Sequence, residues 1–443
     1  MNLPGHRRTL LRAAVVTALG PALLLAGGLG LAPWPAQRTD PAPPMPRTAA
    51  SDRADDALSA DIAALQRRLH ETPEDAQALA RLGLDYVQQA KNTADPTYYP
   101  KAEEVLHRSL QLDGEDNFTA MGAMAALDNG RHEFTRALDW AQRAIAVNPY
   151  NSTLYGTLAD AYTQLGRYPE AADAVQHMVD LKPGTPSLAR ASYVAELRGD
   201  TTTARTLMQR ALQDAAGPAD QAFAHYYLGE LALNTGDAAT ALQEAEHGLA
   251  AAPTYTPLLQ ARARAEAALG DTDAAVADLA LAVQRLPQPE FVLQLGELYQ
   301  RLGRSQDAEQ QYQLFRAEEK LLTDNGVALD ADAALFEADH GDQALALTIA
   351  ENGIRSRPFL DTHDALAWAL HVNGHDREAL AESDEALALG TRSALYHYHR
   401  AMIQTSLGDA SAARADLTTA LAINPHAGAL VAGFPSEIPS EVP

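Results

Sequence analysis

Five histidines crowd the carboxyl-terminal third of the chain: His363, His371, His375, His397 and His399. Imidazole is the commonest protein ligand for zinc and its neighbours, so a metal centre is the first chemistry to test. His371 and His375 have the i, i+4 spacing of a helix-borne site, but Gly374 stands between them and breaks the helix such a site needs. No H-E-x-x-H, G-x-S-x-G or P-loop is present, and "LTDNGVALDAD" lacks the spacing of a calcium loop. Cysteine is absent, which removes thiolate metal sites and redox chemistry. No catalytic residue, metal or cofactor is therefore assigned, and the chain reads as a non-enzyme. Two groups could instead hold a partner. Asp361, Asp364, Trp368, His371, Tyr398 and His399 offer carboxylates and ring faces to a cationic or polar peptide. Tyr193, Phe223, Tyr226 and Tyr227, with Arg190 and Glu230 nearby, offer aromatic anchors. The bland alternative is packing between neighbouring elements for the aromatic group and ordinary surface for the other.

Something must position these side chains. Of 443 residues 47% are hydrophobic and only 6% aromatic, with alanine filling the gap, a composition that favours helices. Taking Gly166 as a ruler, glycine recurs at 199, 236, 270, 303, 341, 374 and 408, a period near 34. Aspartate follows five of these glycines: Asp200, Asp237, Asp271, Asp342 and Asp409. Alanine stands five residues after each glycine from Ala204 to Ala413, and Pro253, Pro287, Pro358 and Pro425 stand seventeen after theirs. Within one unit, Tyr155, Leu158, Ala159 and Tyr162 share a helix face. Gly166 stops that helix, Pro169 suits the first turn of the next, and Pro183 ends it. Ala159 and Ala171 are small because two antiparallel helices must approach closely there.

This combined pattern resembles the tetratricopeptide repeat family over roughly residues 74–425. The resemblance implies an all-α solenoid, a right-handed superhelix of antiparallel helix pairs, with about ten repeats in 74–432. It also implies a concave groove, lined by first helices, that takes peptides or partner proteins. The family's carboxylate clamp is absent: Asp364, Trp368 and His399 stand where it would want Lys, Asn and Asn. His363 and His397 fall on the buried packing slot. Residues 79–110 fit only with an insertion, whose Tyr98 and Tyr99 could reach over the groove or cover an edge. Residues 115–149 fit with a small slip, and the longer 303–341 step suggests an extended second helix. Residues 56–73 read as a capping helix and 433–443 as a disordered tail.

At the amino terminus, Arg7, Arg8 and Arg12 precede an uncharged run from Ala13 to Ala32. That is the layout of an export signal in residues 1–36, either cleaved or kept as a single anchor. Residues 37–55, rich in Pro and Ala, read as a disordered linker. The net charge of −24 disfavours nucleic acid and anionic lipid and favours basic partners. The sequence thus points to an extracytoplasmic, non-catalytic protein-binding scaffold. Its rivals are a structural subunit of a cell-envelope complex, a histidine-based metal or catalytic protein, and a cytoplasmic regulator whose amino terminus only looks like a signal.

Overall fold

The computed structural model describes residues 52–329, 331–429 and 434. The expected signal or anchor in 1–36 lies outside them, as does all but the end of the expected linker. Every regular element described is helical, and no described helix is long and apolar enough to cross a membrane.

A first helix, α1 (Asp52–Glu71), precedes ten helix pairs. The first five pairs are α2 (Ala76–Thr93) with α3 (Tyr98–Leu112), α4 (Phe118–Gly130) with α5 (Phe134–Val147), α6 (Ser152–Gln164) with α7 (Tyr168–Leu181), α8 (Thr185–Leu197) with α9 (Thr201–Gln213), and α10 (Pro218–Asn234) with α11 (Ala238–Ala251). The next five are α12 (Pro257–Leu269) with α13 (Thr272–Arg285), α14 (Pro289–Arg301) with α15 (Ser305–Asp324), α16 (Ala331–His340) with α17 (Gln343–Ser356), α18 (Leu360–Val372) with α19 (Asp376–Leu387), and α20 (Ala394–Ser406) with α21 (Ala410–Ile423). A short 3-10 turn, Ala427–Ala429, follows.

The glycine-aspartate ruler has a direct physical basis. Gly166, Gly199, Gly236, Gly270, Gly303, Gly374 and Gly408 all hold positive φ, the left-handed conformation that ends a helix. The aspartate after the glycine caps the next helix: Asp200 accepts from the Thr203 amide, Asp237 from Thr240, Asp271 from Ala274 and Asp409 from Ala412. In the second pair His132 takes the left-handed slot at φ +63, which accounts for the slip there. Gly341 is the exception among the eight, with no positive φ. The small alanines are buried as expected; Ala159 and Ala171 are each 1% exposed.

Three boundaries differ from the sequence reading. The capping helix starts at Asp52, so residues 52–55 are helical rather than linker. The insertion near residue 95 lengthens α2 and buries Tyr99 among Ala90, Leu106 and Leu127, so this ring does not reach over the groove. Phe434, in the segment read as tail, is buried against Tyr398 with ring centroids 4.9 Å apart.

Curvature follows from which helices touch. First helices of successive pairs pack on each other, as α2 does on α4 and α16 on α18, while second helices have no comparable contact. First helices therefore line the inner side of the bend.

That bend closes on itself. The Arg357 Nε donates to Gln164 Oε1 at 2.5 Å, Thr391 Oγ1 to Leu197 O at 2.5 Å, and Asn424 Nδ2 to Leu233 O at 3.0 Å. The Ala328 amide donates to Arg131 O at 3.3 Å. Each contact joins a loop between pairs to the turn inside a pair some 190 residues earlier. At ~34 residues per pair, one turn of the coil holds roughly five to six pairs, and the second turn rests edge-on on the first. Apolar burial reinforces this seam: Phe359, Leu360 and Tyr396 share a core with Tyr193, Leu197 and Phe223.

Candidate functional site

Side chains on the first helices recur every 30 to 35 residues and form a ladder along the inner face. Arg190 grips Asp160 with two bonds, Nε to Oδ1 at 2.9 Å and Nη2 to Oδ2 at 2.8 Å. Arg264 is paired with Glu230 one repeat earlier. Gln260 donates to Gln294 at 3.0 Å and to Glu290 at 3.2 Å. Between these pairs lies Glu196, whose carboxyl is pushed up to about 7 by burial and by the nearby Glu230 charge. Lys91, facing Asp160 and Arg190, is pulled down to about 8, mainly by burial. Such shifts mark a confined, weakly solvated surface. The bidentate Arg190–Asp160 pair and the single Arg264–Glu230 contact also link adjacent first helices.

The expected aromatic patch is placed differently. Tyr193, Phe223 and Tyr226 are 9%, 3% and 4% exposed, so they are wall rather than anchors. Tyr193 and Phe223 belong to the core that crosses the seam, and Tyr226 packs with Ala245 and Leu258. Tyr227 is half-buried, wedged edge-on against Tyr226 and tilted on Phe223. Arg190 and Glu230 are engaged in the ladder.

The carboxyl-terminal group is brought together, largely as an internal network. His399 Nδ1 meets Asp364 Oδ2 at 2.9 Å, and both residues are buried. Trp368 stacks on the His399 ring at 4.3 Å and donates its Nε1 proton to Asp339 Oδ1 at 2.7 Å. His371 bonds Asp376 at 2.6 Å, and Asp361 accepts from the Tyr396 hydroxyl. Trp368 and Asp361 remain half-exposed, whereas Tyr398 is covered by Phe434. The group is thus a rigid plate with one indole edge open.

Histidines at the packing slot follow one rule. His225 pairs with Glu244, His363 with Glu382 and His397 with Asp416, each at 2.7 Å and each nineteen residues apart. A neutral or charged imidazole thereby replaces the usual apolar side chain and is satisfied by the second helix. His225, Glu244 and His247 bring donor atoms within 4.8 Å of one another, the one such group among the described residues. Sequence reasoning looked at the other end of the chain and missed it. It also missed Lys91, Asp160, Glu196 and Arg264, although Asp160, Glu230 and Arg264 each stand six residues before their glycine, with Glu196 one helical turn further along its helix.

The fold is a coil of antiparallel helix pairs with an inner ladder of ion pairs and hydrogen bonds. Tetratricopeptide repeat family models match residues 121–186 and residues 394–426. In those two segments the chain is similar to the tetratricopeptide repeat family. No curated protein matches it. Among solved structures, the human IFIT1 dimer with PPP-AAAA is 16% identical, with 71% of this chain and 73% of that chain covered and a TM-score of 0.45. A thermophilic TPR protein from Thermus thermophilus is 22% identical over 43% of this chain and 98% of its own, at a TM-score of 0.38. Pseudomonas aeruginosa pilF is 17% identical over 48% and 92%, at 0.37.

Proposed function

We propose that the chain is a non-catalytic scaffold that holds an extended, basic segment of a partner protein along the inner face of the coil. The observation that carries this is Glu196, a carboxyl between two ion-paired rungs, Asp160–Arg190 and Glu230–Arg264. Asp160, Glu196 and Glu230 stand on successive first helices, with Tyr227 near the last two and Asp361 near Glu196, on a face that repeat curvature turns inward. With the edges joined along the seam, a ligand enters along the coil axis, which suits a chain segment rather than a folded domain.

Glu196 makes the reading testable by pH. Its carboxyl is neutral below about 7 and charged above it. Affinity for an arginine-rich peptide should therefore rise from pH 6 to pH 8, measured by fluorescence anisotropy. Glu196→Gln should reduce that rise, leaving the part that Lys91 contributes as it loses its proton near 8, and should leave a neutral peptide unaffected. Equal binding of basic, neutral and acidic peptides would remove the proposal.

In the same reading the amino-terminal segment exports the coil or tethers it outside the cytoplasm. A topology reporter fused after Asp55 reads this directly: activity on the cytoplasmic side would overturn it.

A further inference from the structure

The seam inside one molecule is a docking surface that the fold leaves unused at both ends. Over the first turn, Gly166, Gly199 and Gly236 are covered. An added Cβ would meet Pro358 O at 2.4 Å, Gly390 O at 2.3 Å and Pro425 Cδ at 2.7 Å. The corresponding glycines of the later pairs, Gly270, Gly303, Gly374 and Gly408, hold the same positive φ with nothing within 4 Å. They form an upper edge built like the covered one but with no loop resting on it.

The lower edge of the first turn carries the matching half. In the seam, Asn424-Pro425-His426 does the docking: Asn424 Oδ1 accepts from the His426 amide at 2.9 Å, which frees Nδ2 to reach Leu233 O. Asn148-Pro149-Tyr150 copies that loop. Asn148 Oδ1 accepts from the Tyr150 amide at 3.3 Å, and Nδ2 has no partner among the described residues. Tyr150, in the place of His426, is 83% exposed.

Exposed apolar side chains sort the same way. Leu269, Leu302, Leu345 and Leu407 lie on the open upper edge. Leu112, Tyr150 and Leu181 lie on the open lower edge. No other large hydrophobic residue among those described is exposed. Scattered exposed apolar residues need no explanation, but six leucines and a tyrosine confined to two edges do.

We infer that a second copy of this chain continues the coil, its lower edge around Asn148–Tyr150 seated on the upper edge of the first around Leu302 and Leu407. The contact is heterologous, so it leaves one edge of each kind open and propagates head to tail. The argument for a second copy over another partner is continuity: a loop and a turn of the same build already fit each other within one molecule, Asn424 on Leu233. The net charge of −24 opposes the contact, so added salt strengthens it.

The test uses the full chain in mild detergent, followed by sedimentation from micromolar to submillimolar concentration at high salt. Mass should rise with concentration. Tyr150→Arg on the lower edge and Leu302→Arg with Leu407→Arg on the upper edge should each weaken association about tenfold or more. These exposed sites leave folding intact, which helical circular dichroism checks. Mixing the two variants should restore a one-to-one heterodimer, because each keeps the edge the other lost. A monomer at every concentration overturns the inference. So does association that both variants leave unchanged, which would place it in the amino-terminal segment, or a mixture that fails to pair, which would make the contact symmetric.

Discussion

Replacing Gly199 by alanine tests whether the second turn of the coil rests on the first. Gly199 sits at φ +73, and Gly374 holds the same slot at φ +79. Either substitution forces a side chain into the left-handed region, at roughly 1–2 kcal/mol. Only at Gly199 does the new Cβ also meet a fixed backbone atom, Gly390 O at 2.3 Å. That is about 1 Å inside ordinary contact, and a carbonyl held in its loop cannot swing away like a side-chain tip. Overpacking of this kind adds about 1–3 kcal/mol. If the turns part instead, the Thr391–Leu197 bond is lost at ~1 kcal/mol, together with apolar cover on Leu197. Gly199→Ala should thus lose roughly 2–5 kcal/mol against ~1–2 for Gly374→Ala. Guanidinium unfolding gives the two midpoints, and hydrogen exchange at residues 195–200 and 388–394 locates the loss. Repeat arrays unfold in segments, so the comparison rests on the local exchange as much as on the midpoint. Equal losses at the two glycines, or exchange at 388–394 untouched by Gly199→Ala, would refute the seam.

Other expectations concern buried charge and the inner face. Glu318 is 2% exposed, with no hydrogen-bond partner for either carboxylate oxygen, and burial pushes it up to about 9. The folded chain then binds a proton that the unfolded chain releases above about 4.5, so stability falls as pH rises from there to about 9. Glu318→Gln should raise stability at pH 8 by on the order of a few kcal/mol and flatten the pH profile between 5 and 9; an unchanged slope in urea titrations counts against it. Gln164→Ala should cost about 1–3 kcal/mol by leaving the buried Arg357 without one partner, read as a lower thermal midpoint. A double-mutant cycle on Glu230→Gln and Arg264→Met should show coupling of about 0.5–3 kcal/mol; additivity would mean that the ladder does not lock adjacent helices. Trp368→Ala should destabilise the last pairs by roughly 2–4 kcal/mol, since the indole stacks on His399 and bonds Asp339.

How much was legible divides along the range of the interactions. Helix pairing is a local matter. A left-handed glycine, a capping aspartate, a first-turn proline and an alanine at the crossing all act within a few residues, so each repeat states them on its own. The extended α15 could be read from a four-residue surplus. Its purpose could not: Leu322, on that extra turn, packs into the core built on α2 and α3, more than 200 residues earlier in the chain. The site shows the same split. The aromatic and acidic residues were picked by type, and type does not say which rings face inward. Tyr193 and Phe223 looked like anchors because the partners that bury them, Phe359, Leu360 and Tyr396, come from the next turn of the coil.

The sequence alone settled the unit and its repetition, because turn chemistry and helix-face spacing are short-ranged and recur ten times with little change. Only the tertiary structure decided the curvature. Small differences in how each pair leans on the next add up over five to six repeats, and that sum brings Asn424 to Leu233 and Arg357 to Gln164. No single repeat encodes the sum, so the closed inner face and its two unfilled edges became visible only when the whole coil was laid out.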